Sequence, residues 1–321
     1  MSTELFKACD LVIESNVPLP ELPRASGQVP GCFFELLPNG EVLAGDFDWF
    51  HHWQIDDDEP WLRFAVVGGE YLLRFPSQGD FFVSRDTRRV RCRPLTATPQ
   101  LTVRHLFLDQ VIPLILSRRE SLVLHASAVL TRGGVLGFVG PSGAGKSTLA
   151  ANFGLSGSSL VCDDCLVLRQ QSGVWFAVPA YPGVRLWGPA REELFEYPPD
   201  GAEYAHYSSK QRVRSSLIPC IDAPAPIQRL YFLGRDQESL HSEFAVEPIA
   251  PRDAFLELLS FSFNLDIGDK EYLAHQFRAI DKLLTDVPCF HLRYPRDFSA
   301  LPAVREMIRS HQTRNTQCLS R

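Results

Sequence analysis

One stretch constrains this chain more than any other. Residues 134–150 read GVLGFVGPSGAGKSTLA: an apolar run suited to a buried strand, a turn of the form G-x-x-x-x-G-K-S, and a segment able to continue as a helix. The glycines permit backbone conformations and close approaches that a side chain would forbid. The turn amides and the helix N-terminus then present positive dipoles to an anion. Gly140, Ser142, Gly143, Ala144, Gly145 and Thr148 would form such a cradle. Lys146 can reach terminal phosphates, and the Ser147 hydroxyl can ligate Mg²⁺. The expected fold is α/β, with a phosphate-bearing ligand and Mg²⁺ implied by the loop.

A second apolar run, SLVCDDCLVL at 159–168, carries Asp163 and Asp164. One carboxylate can hold Mg²⁺ and the other can accept a proton from an attacking hydroxyl. Neighbours on a regular strand point to opposite faces, so joint action requires the strand to end or bend at the pair. Cys162 and Cys165 have the CxxC spacing, but ordinary small apolar packing is expected of them. Upstream, LVLHASAV at 122–129 reads as a strand with His125 inside it.

Composition narrows the class. Of 321 residues, 45% are hydrophobic and 22% charged, enough for a sizeable core. No apolar run approaches the roughly 20 residues that span a bilayer, and the N-terminus lacks a signal-peptide layout. The eight cysteines show no framework spacing, which fits reduced thiols. A formal charge of −6 argues against binding nucleic acid by bulk charge. The expectation is a cytoplasmic protein with no nucleic-acid or membrane partner.

The chain reads as a β-rich, mostly antiparallel domain over 1–105, a linking helix over 106–118, a catalytic domain over 119–310 and a polar tail over 311–321. Short β runs begin at Val42–Ala44, and Arg63–Val67 and Tyr71–Phe75 flank Gly68-Gly69 as a hairpin. The prolines of 16–23 exclude a helix there. The acidic run Asp56–Glu59 reads as a solvated loop, and His51-His52 lacks a third metal ligand nearby. Val103, Leu106, Phe107, Val111, Leu114 and Ile115 suit one helix face, with Pro113 as a kink or break. Residues 1–118 hold 11 basic and 16 acidic side chains, against 21 and 22 beyond, which leaves room in the second part for a positive pocket.

Lys210, Arg212 and Arg214 alternate, which would put all three on one strand face, either as contacts for a transferring phosphoryl group or as a solvated surface strand. Arg185 is a weaker candidate of the same kind. Ile227–Leu233 reads as a strand, and 252–259 and 273–284 as helices. Phe255, Leu258, Leu259 and Phe263 are expected in the core.

From His125 to about Leu168 the chain resembles the C-terminal catalytic domain of the HPr kinase/phosphorylase family. The pieces are His125, Gly134-Val135-Leu136, the loop from Gly140 to Ser147, and GSSLVCDD at 157–164. The resemblance implies an α/β P-loop kinase domain acting on a serine hydroxyl with ATP and Mg²⁺. It implies Lys146 as a phosphate contact, Ser147 and Asp164 at the metal, Asp163 as the general base and His125 beside the reacting phosphate. A homo-oligomer is expected from the resemblance alone. Two departures matter. Where bifunctional members carry a glycine-rich E-x-R-G-x-G-I signature, this chain has PAYPGVRLW at 179–187. A metal-binding glutamate is therefore missing, which argues against phosphorylase activity. The C-terminal segment also lacks the basic pattern that accompanies recognition of HPr. The chain is more similar to the divergent branch, some of whose members sit beside ribosomal peptide biosynthesis and include lasso-peptide precursor kinases.

The expected activity is therefore ATP-dependent phosphorylation of a serine on a peptide or small protein. The competing expectations are a small-molecule hydroxyl kinase, an HPr serine kinase, and an ATP-gated binding module without transfer. The last would have no need of a proton acceptor.

Overall fold

A computed structural model describes residues 3–54, 59–119, 121–234 and 244–316. Asp56, Asp57 and Asp58 of the acidic run lie outside the described residues. The chain divides into two compact units, Met1–Arg118 with Tyr204–Tyr207 and Asn264–Leu273, and Arg119–Glu203 with Ser208–Phe263 and Ala274–Arg321.

The first unit is built on eight strands: β1 (Glu4–Ala8), β2 (Leu11–Ser15), β3 (Cys32–Leu36), β4 (Trp49–Trp53), β5 (Leu62–Val67), β6 (Glu70–Phe75), β7 (Gly79–Ser84) and β8 (Arg89–Pro94). They form one sheet in the order β1-β2-β3-β8-β7-β6-β5-β4, parallel only at β2–β3 and β3–β8. The β5–β6 hairpin turns on Gly68 and Gly69, both at positive φ, as their lack of Cβ allows. Val42–Ala44 is not a strand. Its polar backbone is satisfied by side chains instead, Leu43 N–H donating to Asp80 and Arg74 donating to the Leu43 carbonyl.

Helix then runs from residue 100 rather than 106, as α1 (Gln100–Leu106), a π turn (Phe107–Val111) and α2 (Ile112–Arg118). Pro113 has no amide to give the fourth carbonyl before it, and the turn ahead widens, with Ile112 N–H reaching the Phe107 carbonyl. The predicted break is thus a bulge within a continuous helix.

The second unit places its strands in a curled mixed sheet. Its elements run β9 (Leu122–Leu124), β10 (Ala126–Thr131), β11 (Gly134–Val139), α3 (Lys146–Leu155), β12 (Ser159–Cys162), β13 (Leu166–Gln171), β14 (Val174–Val178), β15 (Val184–Leu186), α4 (Gly188–Leu194), β16 (Gly201–Ala202), β17 (Gln211–Val213), β18 (Ala225–Phe232), β19 (Ala245–Pro248), α5 (Pro251–Ser260), α6 (Lys270–Asp286, whose first residues belong to the first unit), β20 (Cys289–Arg293) and α7 (Leu301–Thr316). The order is β12-β10-β11-β18-β14-β13-β9, with β20 beside β18 and β19 beside β20. A small sheet, β15-β17-β16, stands apart from it.

Strand alternation sorts the core into two layers. Leu136 and Phe138 of β11 and Tyr231 of β18 pack with Leu149 and Phe153 of α3 and with Val304 and Ile308 of α7. Val135, Val139, Leu230 and Phe232 face the other way, onto Leu258 of α5 and Ile280 and Leu283 of α6. Helices therefore cover both faces of β11 and β18, which fixes the turn after β11 at the end of a rigid strand pair. Phe263 and Leu258 are buried as expected, while Phe255 and Leu259 are half-buried against the same core.

The expected strand over 122–129 is interrupted at His125, where β9 leaves to pair with β13 and β10 pairs with β11 and β12; the His125 N–H bonds the Phe261 carbonyl. The expected polar tail begins too early: 311–316 continue α7, and Arg229 donates to the His311 and Gln312 carbonyls. Among the described residues, no helix is long and apolar enough to cross a membrane.

Candidate active site

Several segments of the second unit deliver side chains to one cavity. It is lined by the loop residues Ser142, Gly143 and Gly145, by Lys146, Ser147 and Thr148 of the first turn of α3, and by His125, Asp164, Arg185, Trp187 and Lys210. The mixed α/β unit thus sets a glycine-rich loop and the start of α3 opposite a carboxylate and several basic side chains. Gly143 and Gly145 both take left-handed φ, 81° and 89°, and α3 begins directly after them. Lys146 is buried, and its Nζ donates to the carbonyls of Gly140 (2.7 Å) and Pro141 (3.0 Å), so its charge is held against the loop itself.

The acidic pair meets the requirement set by its sequence. β12 ends at Cys162, and Asp164 has a positive φ of 65°, so the chain turns sharply between the two carboxylates. They do different things. Asp163 is 5% exposed and bonded on both oxygens, Oδ1 accepting from Ser127 Oγ (2.6 Å) and Oδ2 from the Arg185 backbone N–H (2.7 Å). Burial and the adjacent Asp164 carboxylate raise its pKa, against the opposing charge of Arg185. Asp164 faces the cavity. Burial would raise its pKa too, but Arg185, His125 and Lys210 outweigh that and hold it well below the usual carboxylate range. Arg185 Nη1 pairs directly with one carboxylate oxygen, and His125 Nε2 lies 3.6 Å from the other.

Arg185 is the centre of the cationic wall. Its β15 position faces Arg212 of β17 across an antiparallel ladder, and both guanidinium groups donate to the Tyr181 hydroxyl, at 2.8 Å and 3.2 Å. Both arginines are buried. Lys210 lies over the Trp187 ring. The basic cluster does not share one face: β17 spans only three residues, Arg212 points inward, and Arg214 is exposed and donates to the Pro182 carbonyl.

Of the sequence-predicted residues, His125, Ser142, Gly143, Gly145, Lys146, Ser147, Thr148, Asp164 and Lys210 line the cavity. Gly140 and Ala144 support it from the loop, Arg212 stands behind Arg185, and Asp163 is walled off. Sequence reasoning missed Ser127 and Tyr181. Ser127 lies two residues beyond His125, and a strand places such neighbours on one side. Tyr181 had no signal of that kind. Cys162 and Cys165 are buried thiols, packed as small core residues.

No set of three or more His, Cys, Asp or Glu side chains suited to a metal occurs among the described residues. Ser147 and Asp164 nevertheless fit Mg²⁺, which is usually held by one or two protein ligands together with phosphate oxygens and water.

No protein family and no curated protein matches the sequence. Among solved structures the chain is similar to the HPr(Ser) kinase/phosphatase from Coxiella burnetii, with 13% identity and a TM-score of 0.35 over 62% of this chain and 94% of that one.

Proposed function

We propose that the protein is an ATP- and Mg²⁺-dependent phosphotransferase of the HPr-kinase-like kind that phosphorylates a serine hydroxyl on a peptide or small protein. One observation carries the reading: a glycine-rich loop bearing Lys146 and Ser147 and a carboxylate, Asp164, line the same cavity. The loop and helix amides suit a polyphosphate. Lys146 can turn from the Gly140 and Pro141 carbonyls to that anion. Ser147 and Asp164 would hold Mg²⁺, which when bound supplies charge neutralisation at the phosphate oxygens.

Phosphoryl transfer passes through a loose transition state, so positioning and charge do most of the work. Asp164, kept ionised by Arg185, orients the incoming hydroxyl; a strong base is not required. Arg185, with Arg212 behind it and Lys210 beside it, places positive charge opposite the loop. Asp163 acts indirectly, by holding the Arg185 backbone and the end of β12.

The test is transfer of label from γ-labelled ATP, with Mg²⁺, to candidate precursor peptides and to HPr. Label on a peptide serine, abolished by Lys146→Ala, supports the reading. Label found only in small metabolites moves the acceptor to that class. Calorimetry that registers no ATP binding to the wild-type chain removes the nucleotide reading altogether.

A further inference from the structure

Arg296, just beyond β20, is absent from the cavity lining yet touches the loop that forms it. Its Nη1 donates to the Ala144 carbonyl at 2.5 Å, and its Nη2 donates to the Gly234 carbonyl just past β18. One planar cation thus ties the glycine-rich loop to the tail of the neighbouring strand. Tyr294 joins it there: a Cβ on Gly145 would lie 3.2 Å from the Tyr294 hydroxyl and 3.4 Å from Arg296 Nη1. These two side chains therefore cover one side of the Gly145 backbone, while Gly145 also lines the cavity.

The described chain has no cis peptide bond. In a trans peptide the carbonyl of one residue and the amide of the next point in opposite directions. Anchoring the Ala144 carbonyl on Arg296 consequently turns the Gly145 N–H away from Arg296. Without an anchor the plane would be free to rotate, because glycine at 145 sets no steric preference between signs of φ. Lys146 does not take this place: its Nζ bonds the Gly140 and Pro141 carbonyls earlier in the loop, not the Ala144 carbonyl.

We propose that Arg296 is a positioning residue for the phosphate cradle: it fixes the Ala144–Gly145 peptide plane so that the Gly145 N–H is aimed at the polyphosphate. This assignment rests on the nucleotide reading above. The guanidinium stays outside the cavity and touches no reacting atom. Its effect is to pre-set one donor that a flexible glycine loop would otherwise have to order on binding.

The experiment uses the full chain and two ligands, ATP with Mg²⁺ and inorganic tripolyphosphate, in calorimetry on wild type, Arg296→Met and Arg296→Lys. Arg296→Met is expected to weaken both ligands about tenfold, the scale of one charged hydrogen bond, and Arg296→Lys to recover part of the loss. In turnover, KM for ATP rises while kcat stays within about twofold, as expected when ground state and transition state lose the same contact. In ¹⁵N-glycine-labelled protein, the Gly145 amide shift on adding tripolyphosphate shrinks in the Met variant. Should Arg296→Met fail to fold, Arg296→Lys carries the same comparison. Wild-type-like tripolyphosphate affinity and an unchanged Gly145 shift in the variants would overturn the Arg296 assignment and leave the nucleotide reading standing. Failure of wild type to bind either ligand would remove both.

Discussion

Ser127 Oγ donates to Asp163 Oδ1 at 2.6 Å, one step beyond the place where β10 and β12 pair through Ala128 and Cys162. The bond is fully buried. Removing the donor leaves a carboxylate oxygen without a partner inside the protein. Ser127→Ala should therefore cost about 1–3 kcal/mol of stability, read as a lower urea midpoint with an unchanged slope. Since neither group faces the cavity, ATP affinity should change little. A Ser127→Ala protein as stable as wild type would show that Asp163 is not held as described.

Asp163→Asn and Asp164→Asn should separate. Asp164 faces the cavity and pairs with Arg185, whereas Asp163 is enclosed. Asp164→Asn is expected to lower transfer by about 100-fold or more with ATP still bound. Asp163→Asn should act mainly on stability, with a smaller loss of transfer. The reverse ranking, with an inactive but stable Asp163→Asn, would return the base to Asp163 and require the hydroxyl to displace Ser127 or the Arg185 amide.

The same pair sets opposite pH dependences. The Asp164 pKa is lowered by Arg185, His125 and Lys210 despite burial, so its contribution to stability is present above its ordinary value of 3.8 and is lost as pH falls from there through the depressed folded value. The Asp163 pKa is raised, so its contribution is present below 3.8 and is lost as pH rises through the higher folded value. Denaturant titrations from pH 2.5 to 7 should show a flatter acid limb in Asp164→Asn and a relative gain toward neutral pH in Asp163→Asn. Parallel curves for wild type and both variants would contradict the assigned environments.

How much of this was legible in the sequence depended on whether the information was local. The apolar run and the glycine turn are local, and they put a strand before the loop and a helix after it, as β11 and α3 are found. The bend at the acidic pair was deducible as a requirement, because two neighbouring carboxylates cannot share a side of a regular strand. Which of the two faces the cavity was not deducible. It depends on Ser127, brought in by the pairing of β10 with β12, and on the Arg185 amide of the separate small sheet, which lie 36 and 22 residues away. The basic cluster was misread for the same reason: alternation assumes a long strand, and β17 ends after three residues. Arg296 carried no pattern at all, since its meaning comes from two main-chain carbonyls far away in the chain.

Gly140 offers the sharpest steric test of the cradle. It adopts a φ of 155°, and a Cβ there would lie 2.4 Å from the Leu233 carbonyl oxygen, far inside contact distance. That oxygen cannot easily retreat, because the Leu233 N–H is bonded to the Val139 carbonyl at 2.8 Å, locking the tail of β18 to the end of β11. Gly143 is the control. Its φ of 81° is equally a glycine conformation, but a Cβ there meets nothing within 4 Å. Gly143→Ala should thus cost only backbone strain, about 1 kcal/mol, while Gly140→Ala adds a backbone clash and should cost about 3 kcal/mol or more. Thermal and urea unfolding of the two variants measure the difference directly. Equal losses would mean that β11 and β18 part freely at this end, and would remove the rigid footing on which the proposed phosphate site depends.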